Sequence, residues 1–319
     1  GALDMSGNSI GAAGAIIALV AEAGTLMDIA ELNGGADLTK STAGALLLSG
    51  PNGYTGATHV DDGTLTIDSV ATGTTAQSLG KNTGANALTL GVPSISSGLL
   101  NYSGGGGTLD KNITALGNGL DTVRNSGSGL LTLTGTITKD GTTLTLDGGT
   151  SGIAVTGQIV GASANSDLIV TGNVNLGAGD HPFVGPTTVQ AGSTLEVTGS
   201  LSATTSVTVN SGGTLLLNSG TNANNIVNTA APFTSDGGTL KVGDAQSGVT
   251  NTFTSLTLSA GSISVLDFGA GNTNTLLFGT LDGATMSALA AGTTTLTING
   301  WTGSAYALGS TIDSGADVT

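Results

Sequence analysis

The sequence predicts an all-β protein wound as a parallel β-helix, a β-solenoid of about 20 residues per coil. Three observations predict it. Apolar and polar residues alternate with period two in short bursts, and the bursts recur about 20 residues apart. Large aromatics that could fill a two-sheet core are scarce, with 1 Trp, 3 Tyr and 5 Phe in 319 residues.

The bursts define the strands. Thr64-Leu65-Thr66-Ile67, Leu131-Thr132-Leu133-Thr134, Thr143-Leu144-Thr145-Leu146, Thr194-Leu195-Glu196-Val197, Thr239-Leu240-Lys241-Val242 and Thr295-Leu296-Thr297-Ile298 all alternate. Successive side chains of a strand point to opposite faces, so Leu, Ile and Val line one face and Thr, Ser, Glu and Lys the other. Thr suits the outer face because its branched Cβ fits the pleat. No sustained 3.6-residue period competes.

The spacing sets the architecture. Leu195 and Leu215 lie 20 residues apart, Val197 and Leu217 likewise, and Leu46 and Leu65 lie 19 apart. A turn followed by Gly-x-Leu or a close variant recurs at Gly63, Gly192, Gly213 and Gly238. Repeats of this size stack, because none can bury its apolar face alone. At ~4.8 Å per coil the chain predicts ~16 coils and a rod of roughly 75 Å. The domain expectation is one elongated solenoid over 1–319, with no clean register over 70–130. A β-sandwich is the alternative, but its strands recur every ~8–12 residues around a more aromatic core.

Composition fits a turn-rich β protein. There are 55 Gly, and charged residues make up 8% against about 25% in ordinary domains. With 38% hydrophobic residues the chain is not of the disordered class, and Gly lacks the period of three that collagen requires. Six Lys and Arg against 21 Asp and Glu give net −15, which excludes phosphate neutralisation and hence nucleic acid as a partner. Eighteen of the acids are Asp and three Glu. Asp62-Gly63, Asp140-Gly141, Asp147-Gly148, Asp236-Gly237 and Asp282-Gly283 read as tight turns.

No Cys is present, so burial and hydrogen bonds carry the stability. The apolar stretch Ala12 to Ala23 has no basic residues before it and is shorter than the ~20 residues of a membrane span. Segment 11–30 therefore reads as an irregular or capping piece, either a short helix or one buried coil. The first residue, Gly1, marks a processed or excised chain.

Catalytic chemistry finds little to work with. A polysaccharide lyase or hydrolase would need paired carboxylates, with an Arg or Lys base for the lyase. The one Arg, Arg124, sits in a turn-like context, and the adjacent pair Asp61-Asp62 leads into a Gly turn. His59 and His181 lie 122 residues apart, and no Cys joins them as metal ligand or nucleophile. The run Gly104 to Gly107 lacks the Lys of a phosphate loop. The expectation is no enzyme, no metal and no cofactor. Tyr54, Tyr102, Trp301 and Tyr306 are candidates for an exposed aromatic platform, with corner packing as the other reading.

Residues 34–68 carry a specific pattern: Asp37-Leu-Thr-Lys40, then Leu-Leu-Leu-Ser-Gly50-Pro-Asn52-Gly-Tyr54-Thr-Gly56-Ala-Thr58-His-Val60-Asp-Asp-Gly63-Thr-Leu65. This resembles the autotransporter-associated β-strand repeat, matching it at Lys40, Gly50, Asn52, Tyr54, Gly56, Thr58, Val60, Gly63 and Leu65. Asp37 departs from it, standing where the family usually has Gly. A weaker copy runs from Phe183 to Val197, and Val265 to Gly303 resembles the end of large repeat-bearing surface proteins of Gram-negative bacteria. The resemblance implies a right-handed parallel β-helix at the outer cell surface or outside the cell. It implies no particular ligand, and it places Tyr54 on the stack rather than in a platform.

The expected function is a non-catalytic shaft or fibre subunit supporting adhesion or matrix. A solenoid's open ends template further pairing. The expected partners are therefore copies of the chain end to end, or adjoining segments of a longer passenger. Surface polysaccharide is a further possible partner, and a polysaccharide-binding or -cleaving β-helix is the alternative function.

Overall fold

The computed structural model describes residues 1–15, 18–84, 86–117, 119–270, 273–281 and 283–300. The chain divides into two compact units, Gly1–Gly161 and Ala162–Thr319.

In the first unit a first sheet is built from Ala2–Asp4, Gly24–Met27, Ala45–Ser49, Gly63–Ile67, Gly98–Tyr102, Asp121–Asn125 and Leu144–Asp147. A second contains Gly107–Leu109, Leu131–Leu133 and Ile153–Val155. A third runs from Ala18–Val20 through Asp37–Lys40, Thr58–Val60, Leu88–Leu90, Ile113–Ala115 and Ile137–Lys139 to Ile159–Val160. The printed pairings are parallel and each joins one coil to the next. The second unit repeats the scheme with two sheets, one from Leu168–Thr171 to Thr275–Leu281 and one from Asn173–Leu176 to Thr295–Asn299. Among the described residues its one α-helix, Gly283–Ala290, is eight residues long.

The alternation read from sequence sets which side is enclosed. Leu46, Leu65, Leu100, Val123 and Leu146 occupy successive register positions of the first sheet, and all are buried. Leu195, Leu215, Leu240 and Leu266 do the same in the second unit. Each such side chain contributes roughly 1.5–3 kcal/mol by leaving water. Antiparallel contacts among the described residues are isolated bridges, not hairpin layers, so the sandwich alternative does not apply.

Coil length departs from the expected 20. Register partners along the first sheet of the first unit are Ala2↔Thr25, Ala45↔Thr64, Gly63↔Gly98 and Leu99↔Thr122, so coils run from 19 to 35 residues. Longer coils mean fewer of them. Among the described residues the first sheet of the first unit has seven rungs and its counterpart in the second unit six, rather than the ~16 coils expected. The reason lies in the corners, which take excursions that the core periodicity does not encode. The largest, 68–87, is what breaks the register after residue 70; from Leu88 onward the strands pair regularly. Segment 11–30 contributes two strands, Ala18–Val20 and Gly24–Met27, so it winds as a coil and not as a helix.

The interior also takes aromatics. All five Phe are buried, and Phe233, Phe253 and Phe278 stack with centroids 5.3 and 5.6 Å apart in successive pairs.

Candidate functional site

The residues of the 34–68 pattern fall on two successive coils of the first unit, Asp37–Lys40 stacking on Thr58–Val60 and Ala45–Ser49 on Gly63–Ile67, and several of their polar groups turn inward. Lys40 shares the inward parity of Leu38 and is fully buried. Its Nζ donates to the carbonyls of Thr42 and, at 3.0 Å, Asp62. Burial lowers the Lys40 pKa, with Asp62 and then Glu22 opposing. Asn52 is buried between coils: its Oδ1 accepts from Ile29 N at 3.0 Å and its Nδ2 donates to Ser78 O at 3.0 Å. Tyr54 is buried too, its hydroxyl 2.8 Å from Thr58 Oγ1, and burial raises its pKa against that hydrogen bond.

The glycines of the pattern permit close backbone approach. A Cβ on Gly56 would lie 2.0 Å from Ala36 O, and one on Gly63, at φ 75°, 2.4 Å from Thr42 O. Gly50 N donates to Asp68 Oδ1 at 2.8 Å, while Ser49 and Ser78 hydroxyls donate to the same carboxylate. Burial would raise Asp68, but these hydrogen bonds outweigh it and hold the pKa below the ordinary value. Val60 and Leu65 fill inner columns, stacked on Leu90 and Leu100.

Similar staples recur outside the pattern, and sequence reasoning missed them. Lys111 is buried with Nζ on Lys81 O at 3.0 Å and Asn86 O at 3.3 Å, and burial pulls its pKa down to about 8 against Asp110. Lys139 is also buried. Asp121 takes hydrogen bonds from Gly98 N and Gly117 N, yet burial raises its pKa. Parity held the signal: Lys111 alternates with Ile113 and Lys139 with Ile137, exactly two residues apart in each case. With three of five lysines inside, the outer surface is more acidic than composition alone implies.

The other expected site residues are dispersed. Tyr102, expected as an exposed aromatic, is 1% exposed, because it shares the inward parity of Leu100; its hydroxyl accepts from Gly106 N. Trp301 and Tyr306 lie outside the described residues. Arg124 is on a strand, not in a turn, and its Nε donates to Asp147 Oδ2 at 2.7 Å. Half-exposed His59 stands 3.4 Å from Asp37 Oδ2. His181 is buried in the second unit. Among the described residues no three His, Cys, Asp or Glu cluster as metal ligands. No helix there is long and apolar enough to cross a membrane.

These features define a parallel β-solenoid whose coils are stitched from within by Lys, Asn and Asp side chains. Residues 38–67 match the passenger-associated-transport-repeat family. Over 108 residues the chain is 39% identical to a protein described as the adhesin BmaC autotransporter, of Brucella suis biovar 1 (strain 1330). The aligned stretch is 34% of this chain and 3% of that relative's length. The chain thus carries an autotransporter passenger-like repeat. No solved structure matches it.

Proposed function

We propose that this chain is a non-catalytic structural segment of a surface-exposed passenger in a Gram-negative bacterium, a shaft that supports adhesion. One observation carries the reading: in the two coils that match the passenger repeat, the polar side chains Lys40, Asn52 and Tyr54 are spent on interior hydrogen bonds. The described adhesin relative supports the same role. Further coils, from a longer passenger or a second copy, are the partners that would continue the stack. Accessible surface polysaccharide is a weaker partner, since Tyr54 and Tyr102 are unavailable as a platform.

Protease shaving of intact cells producing the chain tests the location. Cleavage without permeabilisation is expected; protection until the outer membrane is opened would refute it. Incubation with acidic polysaccharides and calcium should release no unsaturated product, and release would restore the lyase alternative. Electron microscopy of the purified chain separates the two partner readings: filaments indicate copies end to end, and discrete particles indicate adjoining passenger segments.

A further inference from the structure

One corner of the first unit, between the third and first sheets, is built unlike its neighbours. Asp61 and Asp62 alone close it between Val60 and Gly63. In the next coil it extends over residues 91–97, where Val92 and Ser96 form an antiparallel bridge and Ser94 takes φ 57°. In the coil after that its described residues are Leu116, Gly117, Gly119 and Leu120. Coil closure does not require these excursions, and they expose apolar side chains: Ile95 is 75% exposed, Leu120 63% and Leu116 38%.

The two excursions lie side by side. Leu120 N donates to Ser97 Oγ at 3.3 Å, and a Cβ on Gly91 would lie 2.3 Å from Gly117 Cα. Beneath them the buried Asp121 carboxylate holds both excursions through Gly98 N and Gly117 N, which pre-organises the ridge. Acids border it. Ser96 Oγ donates to Asp61 O at 2.5 Å, placing Asp61 and Asp62 on one side. Lys40 and Lys139, which end the third-sheet strands leading into this corner in the flanking coils, are buried.

We propose that this ridge docks a cationic amphipathic segment of another protein. Such a segment lays aliphatic side chains on Ile95, Leu116 and Leu120 and sets Lys or Arg against Asp61 and Asp62. Charge selects this occupant. A second copy of the chain would bring the same acidic border, and like charges across an interface oppose association. An anionic lipid surface fails for the same reason.

The test is titration of the purified full chain with a 14-residue amphipathic Leu/Lys peptide, with a Leu/Glu peptide and a Lys/Ser peptide as controls. The Leu/Lys peptide is expected to bind, and to bind less tightly as salt rises. Ile95→Ser with Leu120→Ser should weaken it at least tenfold, and Asp61→Asn with Asp62→Asn should flatten the salt dependence. Ile263→Ser, at an exposed residue of the second unit, should change nothing. Circular dichroism of each variant verifies its fold. Equal binding of the Leu/Glu or Lys/Ser peptide would overturn the proposal, as would unchanged binding by the Ile95/Leu120 variant. Sedimentation showing a dimer that those two substitutions abolish would also overturn it, by making a second copy the occupant.

Discussion

The Lys40 ammonium donates to the backbone carbonyl of Asp62, 22 residues later and one coil further on, at 3.0 Å. The contact ties the end of one third-sheet strand to the corner that follows the next. A lysine at this place satisfies carbonyls that the corner would otherwise leave buried and unpaired. Lys40→Met keeps the stem but removes the donor, and an unsatisfied buried acceptor costs ~1–3 kcal/mol. Urea unfolding should show a loss of that size, while Lys241→Met, on the outer face of the second unit, should stay within about 0.5 kcal/mol.

Lys111 makes stability depend on pH. Its pKa is about 8 in the folded chain and ~10.4 in an unfolded one. Between these values the unfolded state binds more protons, so stability rises with pH. The rise starts near pH 8 and is largest before pH 10. Above that, Tyr54 works the other way, because the unfolded phenol ionises while the buried one keeps its proton. Unfolding midpoints at pH 7.5 and 9.5 should differ in that direction, and Lys111→Met should reduce the difference. Lys40, also lowered, leaves a remainder.

Asp68 acts at the acid end. Its folded pKa lies below the unfolded value, so its contribution is complete above the unfolded pKa of ~3.9. It is lost as pH falls through the folded pKa. Asp68→Asn should flatten the acid limb of a stability–pH curve. Asp121 has the opposite sign: its pKa is raised, so acid relieves a burial cost, and Asp121→Asn should not flatten that limb.

The period-two alternation made the enclosed columns legible, down to the pairing of Leu46 with Leu65 and Leu195 with Leu215. Corner lengths were not legible, because an excursion such as 68–87 is held by Asp68, Ser78 and Asn52 hydrogen bonds rather than by the core period. The candidate site was half legible. The 34–68 pattern named its residues without saying that Lys40, Asn52 and Tyr54 turn inward, and of the two readings of Tyr102, platform or packing, its parity with Leu100 selects packing. The buried lysines escaped because charge suggested solvent and parity was not applied to them.

Close backbone approach gives a sharp steric prediction. Gly56→Ala would set its Cβ against Ala36 O, with no flexible side chain to yield. Such overpacking typically costs 1–3 kcal/mol and here falls on backbone, so ~3 kcal/mol or more is expected. Gly105→Ala meets nothing within 4 Å and should be near neutral by the same thermal or urea measurement.

Parallel winding in register is the claim on which everything else depends, and a spin-label distance tests it directly. The chain has no Cys, so Thr39→Cys with Thr138→Cys labels two sites alone. Along the third sheet they are joined through His59, Thr89 and Thr114. Four rungs separate residues that are 99 apart in sequence, so the backbone separation should be about 19 Å. Pulsed electron paramagnetic resonance should give one narrow distribution near that value, allowing a few ångströms for the label arms. A broad distribution, or a distance of about 35 Å or more, would contradict the stacked parallel coil.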